Sequence, residues 1–297
     1  MSASDRVAAD LGEDGARGLL SLEMVSPTRF RSRHAQANHA RTLFGGQALA
    51  EALHAAAQTG PDWPAHHLAG YFLRAGAIDR PVDYDVAILR DGRRFASRRV
   101  TASQEGRLIF EMLCAFHDPE PGLAHQREPW ARLPDPERLP SLADYVQAHA
   151  DRLPPEVVQT YGLPFPVELR LAEPERVFFD RLEAPARNFW FRVAGAQALS
   201  DGLAQQCLLA FASDYWLAGV AAGPHRPPLT ADGFTISSLN HNLWFHAPVR
   251  AGEWLQYVTE SPWAGTGRGL ARGLIYDRVG TLVASAAQEA LMRLPRG

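Results

Sequence analysis

The 297-residue sequence predicts an α+β fold made of two tandem units, each a helix followed by an antiparallel sheet. Three observations lead to this prediction. A long apolar helix pattern precedes four strand-like segments, the same order of elements returns in the second half, and a proline-rich segment separates the two. With 46% apolar residues, a chain of this length can bury a large core. Two copies of one unit can bury faces that neither could bury alone, so we expect them to pack as a pseudo-dimer.

The first unit is predicted to span residues 19–118, after an N-terminal tail of residues 1–18. One or two short elements between Leu19 and His39 precede its central helix. Two glycines open an alanine-rich run that Gly60-Pro61 ends, which predicts a helix from Phe44 to Gln58. Its polar residues share one stripe and the rest of its surface is apolar or small, so the helix should be largely buried. The stripe consists of Gln47, Glu51, His54 and Gln58.

Four segments after this helix are rich in aromatic, β-branched or alternating residues, which predicts strands. They are His67–Leu73, Val82–Leu89, Phe95–Ser103 and Leu108–Phe116. Asp91-Gly92 and Glu105-Gly106 separate consecutive pairs, as hairpin turns do. The segments therefore predict an antiparallel meander.

Residues 119–185 predict a connector, because this segment holds 12 of the 22 prolines. Short helices within irregular chain are expected there, and Ser141–Arg152 is the best candidate. Since the segment keeps several aromatic residues, we expect it to pack against the surface of the units.

The second unit, residues 186–297, repeats the order of the first. Its predicted elements are a strand at Phe189–Val193, a long helix at Asp201–Val220, and strands at Ile236–Phe245, Trp254–Glu260, Gly269–Tyr276 and Leu282–Met292. Its last turn matches the turn of the first unit at a spacing of 280 − 106 = 174 residues, at which Arg98 falls on Arg272. A helix apolar nearly all round, followed by a sheet that can wrap it, indicates a hot-dog fold. The repeat therefore predicts a double hot-dog.

Composition and motifs exclude several classes of function. A net charge of −3 does not favour a nucleic-acid binder, and no run of 18 apolar residues could span a membrane. The N-terminus has no apolar run typical of a secretory signal, so we expect a cytoplasmic protein. Lysine is absent, which excludes the usual phosphate-binding loop, and neither zinc-ligand spacings nor a nucleophile elbow occur. Cys114 and Cys207 lie in apolar stretches and are predicted to be reduced, buried thiols.

Six motifs stand in order between about residue 19 and residue 293. They are Phe44-Gly45-Gly46-Gln47, Tyr71-Phe72-Leu73-Arg74-Ala75-Gly76, Leu89–Phe95 with Arg98-Arg99-Val100, Ala212-Ser213-Asp214, Trp244-Phe245-His246 and Val283–Glu289. Together they resemble the acyl-CoA thioesterase II family, that of bacterial TesB and the peroxisomal acyl-CoA thioesterases. The resemblance implies hydrolysis of acyl-CoA to a free fatty acid and coenzyme A, without a metal, a cofactor or an acyl-enzyme. Members of this family often pair into homo-oligomers.

The resemblance also implies a catalytic group in the second unit, which by motif falls on Asp214, Ser238 and Gln288. These residue types suit the reaction. A carboxylate can take a proton from water, a hydroxyl and a carboxamide can hold that water in line, and N–H groups at a helix N-terminus can stabilise an oxyanion. One residue departs from the family's pattern: Asn240 stands where family members commonly have an Asp before the His. This difference bears on local hydrogen bonding and substrate preference.

Each of these residues alone has a simpler interpretation. Asp214 could be a late-helix charge reaching solvent, and Ser238 and Gln288 could be ordinary residues of half-exposed strands. Three functions therefore stay open: an acyl-CoA thioesterase, a non-catalytic acyl-CoA binding protein, and a double hot-dog enoyl-CoA hydratase. The hydratase would be expected to carry a Gly-Asp-x-Asn-Pro-like loop, which this sequence lacks.

Overall fold

The computed structural model describes residues 15–38, 40–163, 165–180, 184–225 and 234–293. Most of the predicted N-terminal tail, residues 1–14, lies outside the described residues. Within these ranges, one antiparallel sheet of thirteen strands runs through both halves of the chain, and the two longest helices pack on it and against each other.

The first half forms a helix and the predicted meander. Its elements are α1 (Gly15–Gly18), β1 (Leu22–Ser26), β2 (Arg29–Ser32), α2 (Gly45–Ala57), β3 (Ala65–Phe72), β4 (Asp83–Asp91), β5 (Phe95–Gln104) and β6 (Arg107–His117). The strands lie in the order β1-β2-β4-β5-β6-β3. The predicted helix and the four predicted strands all form, with ends within two residues of those expected.

The polar stripe of α2 is buried in its first half, whereas His54 is half-buried and Gln58, just past the helix, is exposed. The side chains of Gln47 and Glu51 are fully buried. The amide of Gln47 donates to the carbonyl of Leu19 over 2.7 Å, and the hydroxyl of Tyr84 donates to the Glu51 carboxyl over 2.7 Å. The segment before β1 and the neighbouring strand therefore supply the hydrogen bonds that make burial of these polar groups tolerable.

The connector and the second half contain the remaining elements. They are α3 (Leu142–Ala148), α4 (Pro155–Tyr161), β7 (Val167–Leu171), α5 (Pro174–Phe178), β8 (Ala186–Val193), α6 (Gly202–Ser213), α7 (Ala218–Ala222), β9 (Thr235–Ser238), β10 (Asn240–Phe245), β11 (Leu255–Gly265), β12 (Arg268–Tyr276) and β13 (Leu282–Arg293). Strand β7, which the proline content hid from the sequence prediction, pairs with β8 at the end of the sheet.

Two elements predicted as continuous are interrupted. The helix expected over Asp201–Val220 breaks after Ser213, and Trp216 adopts a left-handed φ of 73° between α6 and α7. The strand expected over Ile236–Phe245 breaks at Leu239, whose carbonyl accepts a hydrogen bond from the N–H of Phe72 in the other half. Because each break lies beside the same cavity, both interruptions shape the site described below.

The two halves join along β3 and β10, which pair antiparallel, and through α2 and α6. The N-terminal end of α2 lies against the C-terminal end of α6. A Cβ atom on Gly46 would overlap the backbone carbonyl of Phe211, so this close approach of the helices requires glycine. The start of the first helix is thereby placed beside the end of the second.

Candidate active site

The structure brings the three sequence-predicted residues into direct contact. Asp214 is the C-cap residue of α6, Ser238 ends β9, and Gln288 lies in β13. The side-chain amide of Gln288 donates to Asp214 Oδ1 over 2.5 Å and to Ser238 Oγ over 2.8 Å. One carboxamide thus links a carboxylate and a hydroxyl from two other elements.

Local structure explains how each side chain reaches this place. Asp214 follows the last turn of α6, whose residues are buried, and because the helix ends at Ser213 the Asp214 carboxylate lies at the helix end. Ser238 pairs with Ala290 of β13, two residues beyond Gln288. Gln288 is fully buried on the inward face of β13, where successive side chains alternate between the two faces of the sheet.

The first half contributes the start of α2 to the same site. The N-cap residue Phe44 makes no side-chain capping bond, so a group from elsewhere in the chain can accept from the N–H groups of the first turn. The N–H of Gly46 donates to the Asp214 carboxylate. A Cβ atom on Gly45 would lie 2.8 Å from Asp214 Oδ2, which shows how closely the backbone approaches the carboxylate.

Burial makes the Asp214 carboxylate a stronger base than an ordinary aspartate. Removal from solvent raises its pKa from 3.8 to about 6, and the hydrogen bonds from Gln288 and from Gly46 N–H act against that increase. The group is therefore mostly ionised at neutral pH, yet it binds a proton more readily than an exposed carboxylate does.

A cavity of about 490 Å³ opens in front of this group. Asp214 and Ser238 line it together with the start of α2. Its other walls include several aromatic residues, among them Tyr161 and Phe165 from the connector. The Phe165 ring stacks on Tyr215 at a centroid distance of 4.4 Å. The carboxylate of Asp214 and the hydroxyl of Ser238 thus face the same cavity as apolar and aromatic side chains.

His241 is a buried residue beside this group that the sequence analysis did not single out. Its ring is fully buried, with Nε2 at 2.9 Å from Ser213 Oγ and Nδ1 at 3.9 Å from Asp214 Oδ1. Burial lowers its pKa to about 3, so the ring is neutral. Its neighbour Asn240 accepts a hydrogen bond from the N–H of Glu289 through its side-chain oxygen. The only sequence clue was its place three residues after Ser238.

Searches for other kinds of site are negative over the part of the chain that the structure describes. No group of three or more His, Cys, Asp or Glu side chains could hold a metal ion there. Nor does this part contain a helix both long and apolar enough to cross a membrane. Cys114 and Cys207 are buried and not joined in a disulfide, as predicted.

Comparison with known proteins gives one consistent family. Models of the acyl-CoA thioesterase N-terminal and C-terminal domains match residues 33–117 and 136–292. The chain is 35% identical over 280 residues to acyl-CoA thioesterase 2 of Haemophilus influenzae, covering 93% of this chain and 96% of that protein. Over 95% of this chain and 98% of the other, it superposes on acyl-CoA thioesterase II TesB2 from Mycobacterium marinum with a TM-score of 0.76 and 31% identity.

A more distant structure bears on the fold alone. A protein of unknown function with a hot-dog fold, from Alicyclobacillus acidocaldarius, superposes with a TM-score of 0.74 at 19% identity, covering 95% of this chain and 98% of that one. The predicted double hot-dog fold is confirmed.

Proposed function

Because this chain belongs to the acyl-CoA thioesterase family and is a thioester hydrolase, we propose that it cleaves fatty acyl-CoA by direct attack of a water molecule that Asp214 activates. The observation that carries the proposal is the contact of Gln288 with both Asp214 and Ser238, two residues that line one cavity. A nucleophilic serine would need an adjacent base, whereas the nearest partner of Ser238 is the amide of Gln288, which cannot take its proton.

The reaction divides into two proton transfers around one tetrahedral intermediate. The water oxygen forms a bond to the thioester carbonyl carbon while its proton passes to the Asp214 carboxylate. The intermediate then collapses, the C–S bond breaks, and the proton on Asp214 goes to the leaving sulfur. Free fatty acid and coenzyme A result. A base with a pKa near 6 suits both steps, since it can accept the proton and release it again.

Ser238 and Gln288 orient the water in this scheme. The hydroxyl of Ser238 can accept one hydrogen bond and donate another, and it faces the cavity beside Asp214. Gln288 uses both N–H bonds of its amide to fix the other two side chains. It thereby sets the distance between the base and the hydroxyl that flank the water.

The start of α2 is suited to stabilise the oxyanion. Gly45, the first residue of the helix, lines the cavity, so its N–H is the candidate donor, and the helix dipole adds partial positive charge there. A single such donor contributes on the order of 10²–10³ in rate. The first half of the chain would thus supply the group that stabilises the oxyanion, and the second half would supply the base.

Replacing Asp214 by Asn tests the base directly. The variant keeps the shape of the side chain but cannot take a proton, so kcat for thiol release from acyl-CoA should fall by about 10²- to 10⁴-fold. Asp201→Asn is the matched control, because Asp201 caps the other end of the same helix and Asn is an equally good N-cap. Equal turnover of Asp214→Asn and the unmodified protein would reject the assigned base.

The same measurement separates the thioesterase from a non-catalytic acyl-CoA binder. A binder would release no thiol from any acyl-CoA, whatever residue stands at 214. The acyl-chain length that fits the cavity is found by running the assay across chain lengths. A cytoplasmic location, homo-oligomer formation and the unit boundaries at residues 19, 119 and 186 stay predictions of the sequence.

A further inference from the structure

Two fully buried polar side chains face each other across neighbouring strands behind the proposed site. Strands β10 and β13 pair with Asn242 opposite Ala287, and the same register sets His241 opposite Gln288. Both side chains are fully buried on the inward face. Directly opposed residues on antiparallel strands have Cβ atoms roughly 4.5–5.5 Å apart, so their side chains interact.

The unsatisfied atoms of this pair are complementary. His241 Nδ1 and Gln288 Oε1 are both buried atoms without another hydrogen-bond partner. Gln288 Oε1 can only accept, whereas an imidazole nitrogen can carry a proton and donate. A hydrogen bond between these two side chains also opposes the lowering of the His241 pKa. A proton on Nδ1 would therefore satisfy both atoms at once.

The hydrogen bond at the other ring nitrogen, Nε2, decides whether Nδ1 can carry the proton. Ser213 Oγ lies 2.9 Å from His241 Nε2, and its hydroxyl can instead donate to the carbonyl of Ala210 over 3.0 Å. With its one proton on the bond to Ala210, Ser213 would accept from Nε2–H, and both Nδ1 and Gln288 Oε1 would stay unsatisfied. If the hydroxyl donates to Nε2, that nitrogen accepts and the single ring proton must be on Nδ1. A neutral ring carries one such proton, and burial keeps this ring neutral.

Building on the proposed function, we propose that His241 is a positioning residue that sets the orientation of the Gln288 amide. In this arrangement Ser213 donates to His241 Nε2, and His241 Nδ1 donates to Gln288 Oε1. The amide N–H groups of Gln288 must then point toward Asp214 and Ser238. With the amide rotated by 180°, its carbonyl oxygen would face the Asp214 carboxylate, and both donated hydrogen bonds would be lost.

Titratable groups lie next to the proposed hydrogen bonds that run from Ser213 through His241 to Gln288. Besides Asp214, the hydroxyl of Tyr257 approaches from β11 and donates to the carbonyl of Ser213 over 3.2 Å. Burial raises the pKa of Tyr257 well above its usual value of 10, so that group stays neutral. The acidic limb of a pH–rate profile therefore reports Asp214, whose pKa depends on the amide that His241 holds.

The test uses four variants of the full chain and compares kcat, KM and the pH–rate profile. His241→Leu removes both ring nitrogens. His241→Asn places an amide N–H near the position of Nδ1 and keeps a donor for Gln288. Gln288→Leu removes the amide itself, and the double variant His241→Leu with Gln288→Leu tests whether the two act through each other. His246→Leu is the control, since His246 follows the end of the same strand, is exposed, and pairs with Ser285.

We expect His241→Leu to lower kcat by about 10- to 100-fold with KM changed less than about threefold, as for other supporting contacts. His241→Asn should recover most of this loss. The acidic limb should move to higher pH in His241→Leu and in Gln288→Leu, because Asp214 loses a stabilising hydrogen bond. The double variant should be no slower than Gln288→Leu. A purely structural histidine would change stability but not the acidic limb.

The inference is overturned if His241→Leu keeps the wild-type limb, if His241→Asn is as slow as His241→Leu, or if the losses multiply in the double variant. Should His241→Leu not fold, Ser213→Ala replaces it, and an unchanged kcat and pH profile in that variant would overturn the inference equally. If Asp214→Asn and Gln288→Leu keep full turnover, the proposed mechanism itself fails. If they lose turnover and His241→Leu does not, only the role of His241 fails.

Discussion

The end of α2 in the first half and the end of α6 in the second occupy matching places in the repeat. The inward-facing side chains of the strands beside them differ between the two halves. In the second half, Gln288 of β13 stands opposite the small residue Ala271 of β12. In the first half, Cys114 of β6 stands opposite Arg98 of β5. All four side chains point inward and are buried.

Arg98 fills the first-half position and is bonded on several sides. Its guanidinium donates to the hydroxyl and the carbonyl of Thr59, over 2.9 and 3.0 Å, and to the carbonyl of Arg90 over 3.1 Å. It also forms an ion pair with Asp91 at 2.7 Å. A fully buried cation is tolerated here because its donors have acceptors.

The comparison shows how one repeated unit can hold the proposed active site in one copy and a structural contact in the other. The second half leaves a carboxylate at the wall of a cavity, whereas the first half closes the same place with a paired arginine. The halves are not independent, however, since the start of α2 lies against Asp214. One site therefore uses groups from both units.

The largest difference between the two places should appear in stability. Arg98→Met removes the cation and leaves several part-buried acceptors unpaired, so the free energy of unfolding should fall by about 1–3 kcal/mol. Arg272→Met is the control: Arg272 falls at the predicted repeat spacing, but it is exposed and pairs with Glu260 at 2.6 Å. That variant should lose less than about 1 kcal/mol in chemical denaturation. Similar losses in both would contradict a special role for Arg98.

Each half buries a carboxyl group, Glu51 in the first and Asp214 in the second, and burial raises the pKa of both. Burial raises the pKa of Glu51 in the first half from 4.5 to about 8, so Glu51 is protonated at neutral pH. The folded protein thus retains a proton that the unfolded chain releases, and stability falls as pH rises from about 4.5 to 8.

Glu51→Gln should remove this decline in stability, with a gain on the order of a few kcal/mol at pH 8 and little at pH 4.5. Thermal unfolding at both pH values measures it. Turnover should stay unchanged, because Glu51 does not line the cavity. A stabilisation equal at the two pH values would show that Glu51 does not titrate between them.

Alanine substitutions at two glycines, Gly45 and Gly60, should separate an effect on activity from an effect on stability. In Gly45→Ala the new methyl group would lie 2.8 Å from Asp214 Oδ2 and 2.9 Å from the Phe72 ring, so kcat should fall about 10- to 100-fold through displacement of the base. In Gly60→Ala it would lie 2.8 Å from Arg98 Nη2 at the end of α2. That variant should lose stability and keep its turnover per folded molecule. Loss of turnover in Gly60→Ala alone would reverse the assignment of the two places.

The last prediction requires no substitution and concerns the pH dependence of the wild-type rate. Since the base must be ionised, kcat/KM should rise about tenfold per pH unit below pH 6 and level off above it. An acidic limb near pH 4 would mean that Asp214 is solvated in the working enzyme.

Much of the fold could be predicted because its patterns are local. The helix α2 and its four following strands were predicted within two residues, since apolar periodicity and hairpin turns are set by neighbouring residues. Strand β7 was missed because prolines on either side suggest irregular chain, whereas its pairing with β8 stabilises an extended conformation. The interruption after Ser213 was also missed, because the apolar pattern continues unbroken to Val220.

By itself, the sequence determined the two-unit α+β architecture and, through its motifs, the three residues that meet at the cavity. It could not determine the face on which each strand residue lies, since a shift of one residue turns a side chain to the other side of the sheet. The repeat spacing of 174 thus aligned Arg98 with Arg272, whereas Ala271 is the inward counterpart. Only the tertiary structure decided this register, the contact of α2 with Asp214, and the place of His241 behind Gln288. All three depend on contacts between residues far apart in the chain.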